Sequence, residues 1–532
     1  MTISYNWLSQ YLAEPIPIDR LTDTLTSIGL EVDGCERAQQ IKGGLDGVVV
    51  GEVLAKSQHP DADRLSVTVV TIGRGEPLQI VCGAPNVAVG QKVAVATIGT
   101  TIYPSEGEPL TMKKSKIRGI ESFGMICAED ELGLGASHDG IMVLRPDAPV
   151  GQAAATYFEL HDDYKIEIGL TPNRSDAQSH FGVAQDLAAA LSARGLSQSK
   201  NLLKSIKNAH NIGKLARNSA KITAENAKTK PTKLPITVRV ANETACPRYA
   251  GLVIAGLKVA DSPAWLRERL LSIGCRPINN VVDVTNFVLH ELGQPLHAFD
   301  YHTIAKSEVI VQNLPKGTTF TTLDEQKRSL HEEDLLICDG ENAPMCLAGV
   351  FGGEKSGVSE ATTAIFLESA FFEPINIRRS AGRHLLRTDA ARTFEKGIDP
   401  NGVVVALERA ASLILDIAGG HIASEIIDLY PKMIANKEIM VRYNRVNQLI
   451  GNDLGIDTIK NILSALNMPT IAEDAESITV SVPTNKPDVT REVDIVEEIL
   501  RIYGLNNLKL GTDVKSTLTT ADRTESYRLR NI

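Results

Sequence analysis

The stretch VVVGEVLAKSQHPDADRLSVTVV, residues 48–70, reads as β structure. Leu65, Val67 and Val69 alternate with Ser66, Thr68 and Val70, a period of two that suits a strand and not a helix. Further β runs occur at 79–82 and 92–98, separated by Gly and Pro. Some five short strands in about 100 residues predict a small closed barrel of the OB type, placed at 42–154.

Working outward, residues 4–32 carry helical spacing. Trp7, Leu8, Tyr11 and Leu12 share a face, and after Pro15 and Pro17 Asp19 is placed to cap a second run through Leu21, Leu25 and Ile28, with Gly29 to end it. Residues 171–195 return to a helix with Val183, Leu187 and Leu191 on one side. From 196 to 234 nine Lys/Arg face one acid, which reads as an exposed basic connector. Short β runs mixed with helices from 236 to about 400 predict an α+β domain. A helix at 401–418 leads to a small unit at 439–508. The closing stretch, 509–532, is Thr-rich and ends on TESYRLRNI, which reads as the start of a helix.

The chain has 532 residues, enough for about three to five domains. Its seven cysteines (35, 82, 127, 246, 275, 338, 346) contain no C-x-x-C pair, so neither a disulfide framework nor a zinc ribbon is suggested. A net charge of −10 argues against a uniformly basic surface but leaves room for local patches. With 24 aromatics there are few for a protein that grips single strands mainly by stacking. No apolar run reaches the ~18 to 20 residues of a membrane span, and the first residues lack a signal-peptide profile. Cytoplasmic residence without a membrane partner is the expectation.

Three stretches carry candidate chemistry. Lys113, Lys114, Lys116 and Arg118 stand before Gly119 at the barrel, where a cationic cluster can bind a phosphate backbone. On its own the cluster reads more readily as a solvated loop. In RPINNVVDVTNFVLHELGQPLHAFD (276–300), polar residues including Asn286 and His297 interleave with Val281, Val284 and Phe287, which suits a pocket on a rigid scaffold as well as structural hydrogen bonding. In PTNKPDVTREVDIVEEILRIYG (483–504), Thr490 is placed to cap a helix whose buried stripe is Val493, Val496, Leu500 and Tyr503. Asp494, Glu497 and Glu498 then share the opposite face with Asp488 nearby. Such carboxylates suit Mg²⁺, although helical spacing alone describes a solvated acidic face.

These residues carry a resemblance. Residues 48–70, IVCGAPNVAVGQKVAVATIGT (80–100) and KIRGIESFGMICAEDELGL (116–134) resemble the tRNA-binding OB domain of the bacterial phenylalanyl-tRNA synthetase β-subunit family. Residues 276–300, CLAGVFGGEKSGV (346–358), IFLESAFF (365–372) and HLLRTDAARTFEKGIDP (384–400) resemble that family's editing domain, which hydrolyses tyrosine wrongly esterified to phenylalanine tRNA. The resemblance implies that His297 and Asn286 lie in an editing pocket, with Gly349 and Gly352 allowing close backbone approach, Thr388 and Ala390 lining a wall, and Glu368 receiving the tyrosine phenol. Residues 483–504 resemble the end of the B5 domain, implying Asp488, Asp494, Glu497 and Glu498 as magnesium positions shared with the α subunit. At 484–487 the family has a Trp-Arg-Phe-like run where this chain has Thr-Asn-Lys-Pro.

The expected organisation is therefore α+β multidomain: an N-terminal α+β unit at 1–41 and 155–195, the inserted OB-type barrel at 42–154, the connector at 196–234, an editing domain of B3/B4 type at 235–400, a linking helix at 401–434, a B5 domain at 435–510, and the start of a catalytic-like module at 511–532. The resemblance further implies an α2β2 assembly, tRNA(Phe) as partner, and ATP bound by the α subunit; no G-x-x-x-x-G-K-[ST] motif occurs here. Because that family continues into a catalytic-like module and an anticodon-binding domain, residue 532 reads as a truncation point. A tRNA-binding scaffold with an inactive pocket and a free-standing editing hydrolase remain competing readings.

Overall fold

The computed structural model describes residues 1–104, 107–135, 137–160, 162–196, 233–509 and 529–530. Nearly all of the basic connector, and all of the 511–532 segment but two residues, lie outside the described residues. Two compact units emerge: Met1–Gln10, Val32–Ile168 and Ser262–Ile278 form one, and Tyr11–Glu31, Gly169–Asp261 and Asn279–Ile532 the other.

The first unit is built on the barrel. Strands β1 (Val48–His59), β2 (Ala62–Thr71), β3 (Leu78–Cys82), β4 (Lys92–Thr97) and β5 (Gly124–Ile126) pair in the order β5-β4-β1-β2-β3, every pair antiparallel. The Phe123 N–H donates to the Gln79 carbonyl at 2.9 Å and the Val81 N–H to Ser122 Oγ at 3.1 Å. The sheet thus nearly closes on itself, as the period-two runs predict. Val49, Val53, Val70, Ile80, Val93 and Val95 fill its interior. On β2 the buried face is Ser66, Thr68 and Val70, while Leu65, Val67 and Val69 are half-buried outside. Thr68 tolerates that position because its hydroxyl donates to the Ile80 carbonyl at 2.8 Å.

In the first unit Ser4 caps a helix at Tyr5–Ser9, which stops short of Tyr11 and Leu12, and in the second a helix spans Ile18–Ser27 with Pro17, not Asp19, as its N-cap residue; two helices form as expected, but the first is shorter than its spacing predicts. The second unit then contains helix α1 (His180–Ala193), with Val183, Leu187 and Leu191 buried as expected. Two five-stranded sheets follow. One has the order β6 (Thr237–Val240), β9 (Glu308–Asn313), β10 (Leu335–Asp339), β11 (Pro344–Leu347), β12 (Phe351–Gly352). The other begins β8 (Leu296–Asp300), β13 (Ala364–Phe371), β7 (Arg248–Ala255) and is completed by His421–Ile422, with Ile427–Leu429 also pairing with β7. Their facing sides enclose a common core that includes Tyr249, Phe299, Val309, Leu336 and Phe366.

β13 is buried along nearly its whole length, so its two faces must be told apart by their partners. Ser369 donates from Oγ to the Val403 carbonyl at 2.8 Å, turning that face toward helix α5 (Val403–Ala418). Phe366, Glu368 and Ala370 therefore point into the inter-sheet core. Helix α2 (Asn280–Leu292) starts where Asn279 accepts from the N–H groups of Val281 and Val282, and ends at Gly293, whose φ of 78° is the left-handed cap. Helices α3 (Pro374–His384) and α4 (Asp389–Lys396) pack together after β13.

Farther along the second unit, β14 (Lys437–Arg442), β15 (Thr470–Glu473) and β16 (Ser477–Val482) form an antiparallel sheet, followed by α6 (Glu492–Tyr503). Here the structure corrects the sequence reading. The buried face of α6 is Ile495, Val496, Glu498, Ile499 and Ile502, whereas Val493 is exposed. Arg491, not Thr490, is the N-cap residue, and Asp494 reaches back to accept from the Thr490 and Arg491 N–H groups at 3.0 and 2.9 Å. No helix among the described residues is long and apolar enough to cross a membrane.

Candidate active site and nucleic-acid interface

His297 on β8 and Glu368 on β13 are directly opposite in the antiparallel register, and Gly251 on β7 faces Glu368 from the other side. All three project from one sheet face into the inter-sheet core. Glu368 is only 4% exposed, and its Oε2 has no hydrogen-bond partner; nor does the buried Nε2 of His297. A third buried polar atom without a partner, the Tyr249 hydroxyl, lies on the same face two residues from Gly251. Three unsatisfied polar atoms in one apolar core are costly, on the order of 1 to 3 kcal/mol each, a cost that a ligand's polar groups could relieve.

Burial alone raises the Glu368 carboxyl to about 8 and lowers the His297 imidazole to about 4. Near neutral pH both are therefore mainly uncharged. A carboxylic acid at this position can both accept and donate a hydrogen bond. Burial, with Glu368 nearby, also pushes the Cys246 and Cys346 thiols and the Tyr249 phenol well above their ordinary values. These thiols are not activated nucleophiles.

Gly352 adjoins His297: a Cβ there would stand 3.0 Å from the imidazole Cε1 and 2.9 Å from Leu323 Cδ1. Gly349 serves another purpose. At φ 67°, a Cβ on it would meet Ile377, Phe372 and Phe394 at 2.8 to 3.0 Å, so it lets α3 and α4 close onto the turn. Thr388 caps α4 by accepting from the Ala391 N–H at 3.1 Å, and donates to the Val350 carbonyl at 2.9 Å. Ala390 is half-buried in the first turn of α4. Asn286 is half-buried on α2, and no hydrogen bond among the described residues joins it to His297 or Glu368. Thus His297, Glu368 and Gly352 converge, while Gly349 and Thr388 support the turn beside them. Tyr249 and Gly251 escaped the sequence reading; a tyrosine within the otherwise apolar run YAGLVIA (249–255) was the available signal.

At the barrel, Lys116 lies on a hairpin of Ser115–Ile117 and Ile120–Ser122. Its two-residue turn, Arg118 and Gly119 at φ 43° and 89°, has the positive angles that tight hairpins require. Lys113, Lys114, Lys116 and Arg118 are all exposed. Lys114 pairs with Glu121 at 2.9 Å and Arg118 donates to the Asp61 carbonyl at 3.0 Å.

The four carboxylates assigned to magnesium do not form a common centre within this chain. Glu498 is buried between Lys486 at 2.9 Å and Arg501 at 2.8 Å, which outweigh burial and hold it at about 2. Asp494, also at about 2 despite partial burial, is tied to Arg491 at 2.9 Å. Asp488 and Glu497 are exposed. Among the described residues no group of three or more His, Cys, Asp or Glu is gathered to hold a metal. The donors present do not fit a magnesium ion held by this chain alone.

Comparison with known proteins places these features. Family models match residues 48–153 (tRNA binding domain), 245–419 (B3/4 domain) and 439–505 (tRNA synthetase B5 domain). The chain is 50% identical over 534 aligned residues to the phenylalanine–tRNA ligase beta subunit of Bacteroides fragilis, covering 100% of this chain and 62% of that relative. To the same subunit of Porphyromonas gingivalis it is 49% identical, covering 98% and 62%, and to that of Salinibacter ruber 44%, covering 96% and 59%. It thus spans about three-fifths of the length of the curated relatives it matches. Along its whole length the chain is thus similar to phenylalanine–tRNA ligase beta subunits, and it carries in order the three matched domains.

Proposed function

We propose that the chain acts within a phenylalanine–tRNA ligase as the β subunit, binding tRNA(Phe) and hydrolysing tyrosyl-tRNA(Phe) at the pocket of His297 and Glu368. The observation that carries this reading is the facing pair of buried, unpartnered polar atoms on β8 and β13. A tyrosine ring entering that core offers a hydroxyl to Glu368, whereas phenylalanine leaves the carboxyl unsatisfied; sites built on that asymmetry discriminate strongly. Water is the nucleophile in this reading, since the adjacent thiols are raised by burial. An imidazole near 4 is too weak a base to take a proton efficiently at neutral pH, so His297 orients the water through Nε2.

The same proposal includes an α subunit that binds ATP and phenylalanine, an α2β2 assembly, magnesium with ligands supplied largely from outside this chain, residence in the cytoplasm, and the domain division given above. The exposed barrel hairpin supplies a tRNA contact through Lys113, Lys116 and Arg118.

Release of tyrosine and phenylalanine from the respective charged tRNA(Phe) tests the reading. The unmodified protein should cleave the tyrosyl ester selectively, Glu368→Ala should erase the preference, and His297→Ala should slow cleavage at least tenfold. The kcat profile should lack an inflection between pH 5.5 and 7.5. Absence of tyrosyl release would leave the scaffold reading in its place.

A further inference from the structure

We infer that the groove between α3 and α4 binds the sugar-phosphate backbone of a single-stranded RNA 3′ end and guides it to the neighbouring pocket. The groove, about 440 Å³, is lined by Arg378, Leu385, Arg387, Arg392 and Glu395 among others. Residues 374–396 carry six Lys/Arg against two acids in a chain of net charge −10. Among the described residues, neither Arg378 nor Arg387 enters an ion pair, and Arg392 has only an exposed contact of 3.6 Å with Asp389. Forked guanidinium groups gathered on one concave surface, with Glu395 its single acidic lining residue, match phosphate oxygens in charge and geometry.

Leu385 adds an independent observation. It caps α3 at φ 56°, a left-handed position where glycine is the usual residue, and it is 88% exposed. The chain there accepts both backbone strain and a solvated apolar side chain, at a point rimmed by arginines. A flat apolar partner such as an unstacked base accounts for the exposed side chain.

The support beneath the groove is rigid. Buried Asp334 accepts from Ser380 Oγ at 2.8 Å, lies 2.7 Å from His384 Nε2, and also pairs with Arg383, fixing the last turns of α3. Ile377 and Phe394 pack over Gly349, and Thr388 is bonded to the Val350 carbonyl. Two residues later Gly352 touches His297. Groove and pocket therefore share one turn of chain. An amino acid esterified to an RNA terminus reaches a buried pocket only if its last nucleotides are unpaired and held beside the entrance.

The inference rests on the proposed editing reading, but its test is separable. A fluorescent single-stranded RNA carrying a tRNA 3′ terminus is titrated into the full chain between about 50 and 200 mM salt. Arg378→Glu with Arg387→Glu should weaken binding at least tenfold and lower the slope of log affinity against log salt by about two. Arg378→Lys with Arg387→Lys should recover most of it. Leu385→Gly should raise the melting temperature while weakening RNA binding several-fold, a combination that a purely structural leucine would not give. A photoreactive 3′ nucleotide should crosslink within 378–392. Unchanged affinity and slope, or crosslinking confined to the barrel hairpin, would overturn the proposal. So would loss of an acidic protein partner with RNA affinity intact. RNA binding at the groove without tyrosyl release would remove only the editing reading, and tyrosyl release without groove binding only this one.

Discussion

Under the proposed function Glu368 meets two opposing demands, since a carboxyl kept ready for a substrate hydroxyl is held without a partner in the folded protein. Its carboxyl at about 8, against 4.5 as its ordinary value, makes the folded state bind a proton that the unfolded chain releases. A raised value contributes stability that is complete below 4.5 and lost as pH rises through 8. At about 1.4 kcal/mol per pKa unit, the ionised form disfavours folding by several kcal/mol. Glu368→Gln keeps the shape and removes the titration. Urea unfolding of that variant should show a much flatter pH dependence between 5 and 8.5 and a gain in stability at the alkaline end. A variant as pH-sensitive as the parent would place the titration elsewhere. His297 works on the other limb: its lowered value makes stability present above 6.5 and lost as pH falls through 4.

At the scale of elements, one side chain ties α4 to its surroundings in two ways. Thr388 supplies both the helix cap and the bond to the turn at Val350, so Thr388→Ala should cost about 1 to 3 kcal/mol from the lost cap and tie. Thr388→Ser should retain most of that, and denaturant midpoints of the two variants compare them directly. The same scale shows what could be read from sequence. Strands β1 to β4 and helices α1 and α5 were legible because period and punctuation agreed. The buried side of α6 was not, because Ile495, Ile499 and Ile502 compete with Val493, Val496 and Leu500 for an apolar stripe, and only tertiary partners decide between them. His297 and Glu368 emerged from resemblance, since residues 71 positions apart meet only through strand register. Tyr249 was missed because a buried hydroxyl ordinarily has a partner, and nothing in the sequence tells that this one does not.

Across the second unit, sequence-distant charges are assembled into a closed ring. Arg174 pairs with Asp176 and Asp186; Lys486 bridges Asp176 at 2.6 Å and Glu498 at 2.9 Å; Arg501 bridges Glu498 at 2.8 Å and Asp186 at 2.9 Å. Three cations and three carboxylates, all substantially buried, sum to no net charge. The ring joins residues 174–186 to residues 486–501, and Lys486 stands within the Thr-Asn-Lys-Pro run where the sequence departs from the family pattern. It also explains why Glu498 faces inward: Lys486 and Arg501 stabilise the carboxylate more than burial penalises it. Removing one member of a buried ion network costs far more than removing an exposed pair, because the remaining charges lose their counter-ion in a poorly solvated place. Lys486→Met should therefore lower unfolding free energy by about 3 to 5 kcal/mol, leaving Asp176 and Glu498 short of a cation. Lys460→Met, which breaks a partly exposed pair with Glu473 at 2.8 Å, should cost less than about 1 kcal/mol. Equal losses from the two variants in urea unfolding would mean that the ring is no more than a set of surface pairs. A large loss confined to Lys486→Met, shrinking as the pH is lowered and the orphaned carboxylates take up protons, would identify it as the tie holding residues 174–186 against residues 486–501.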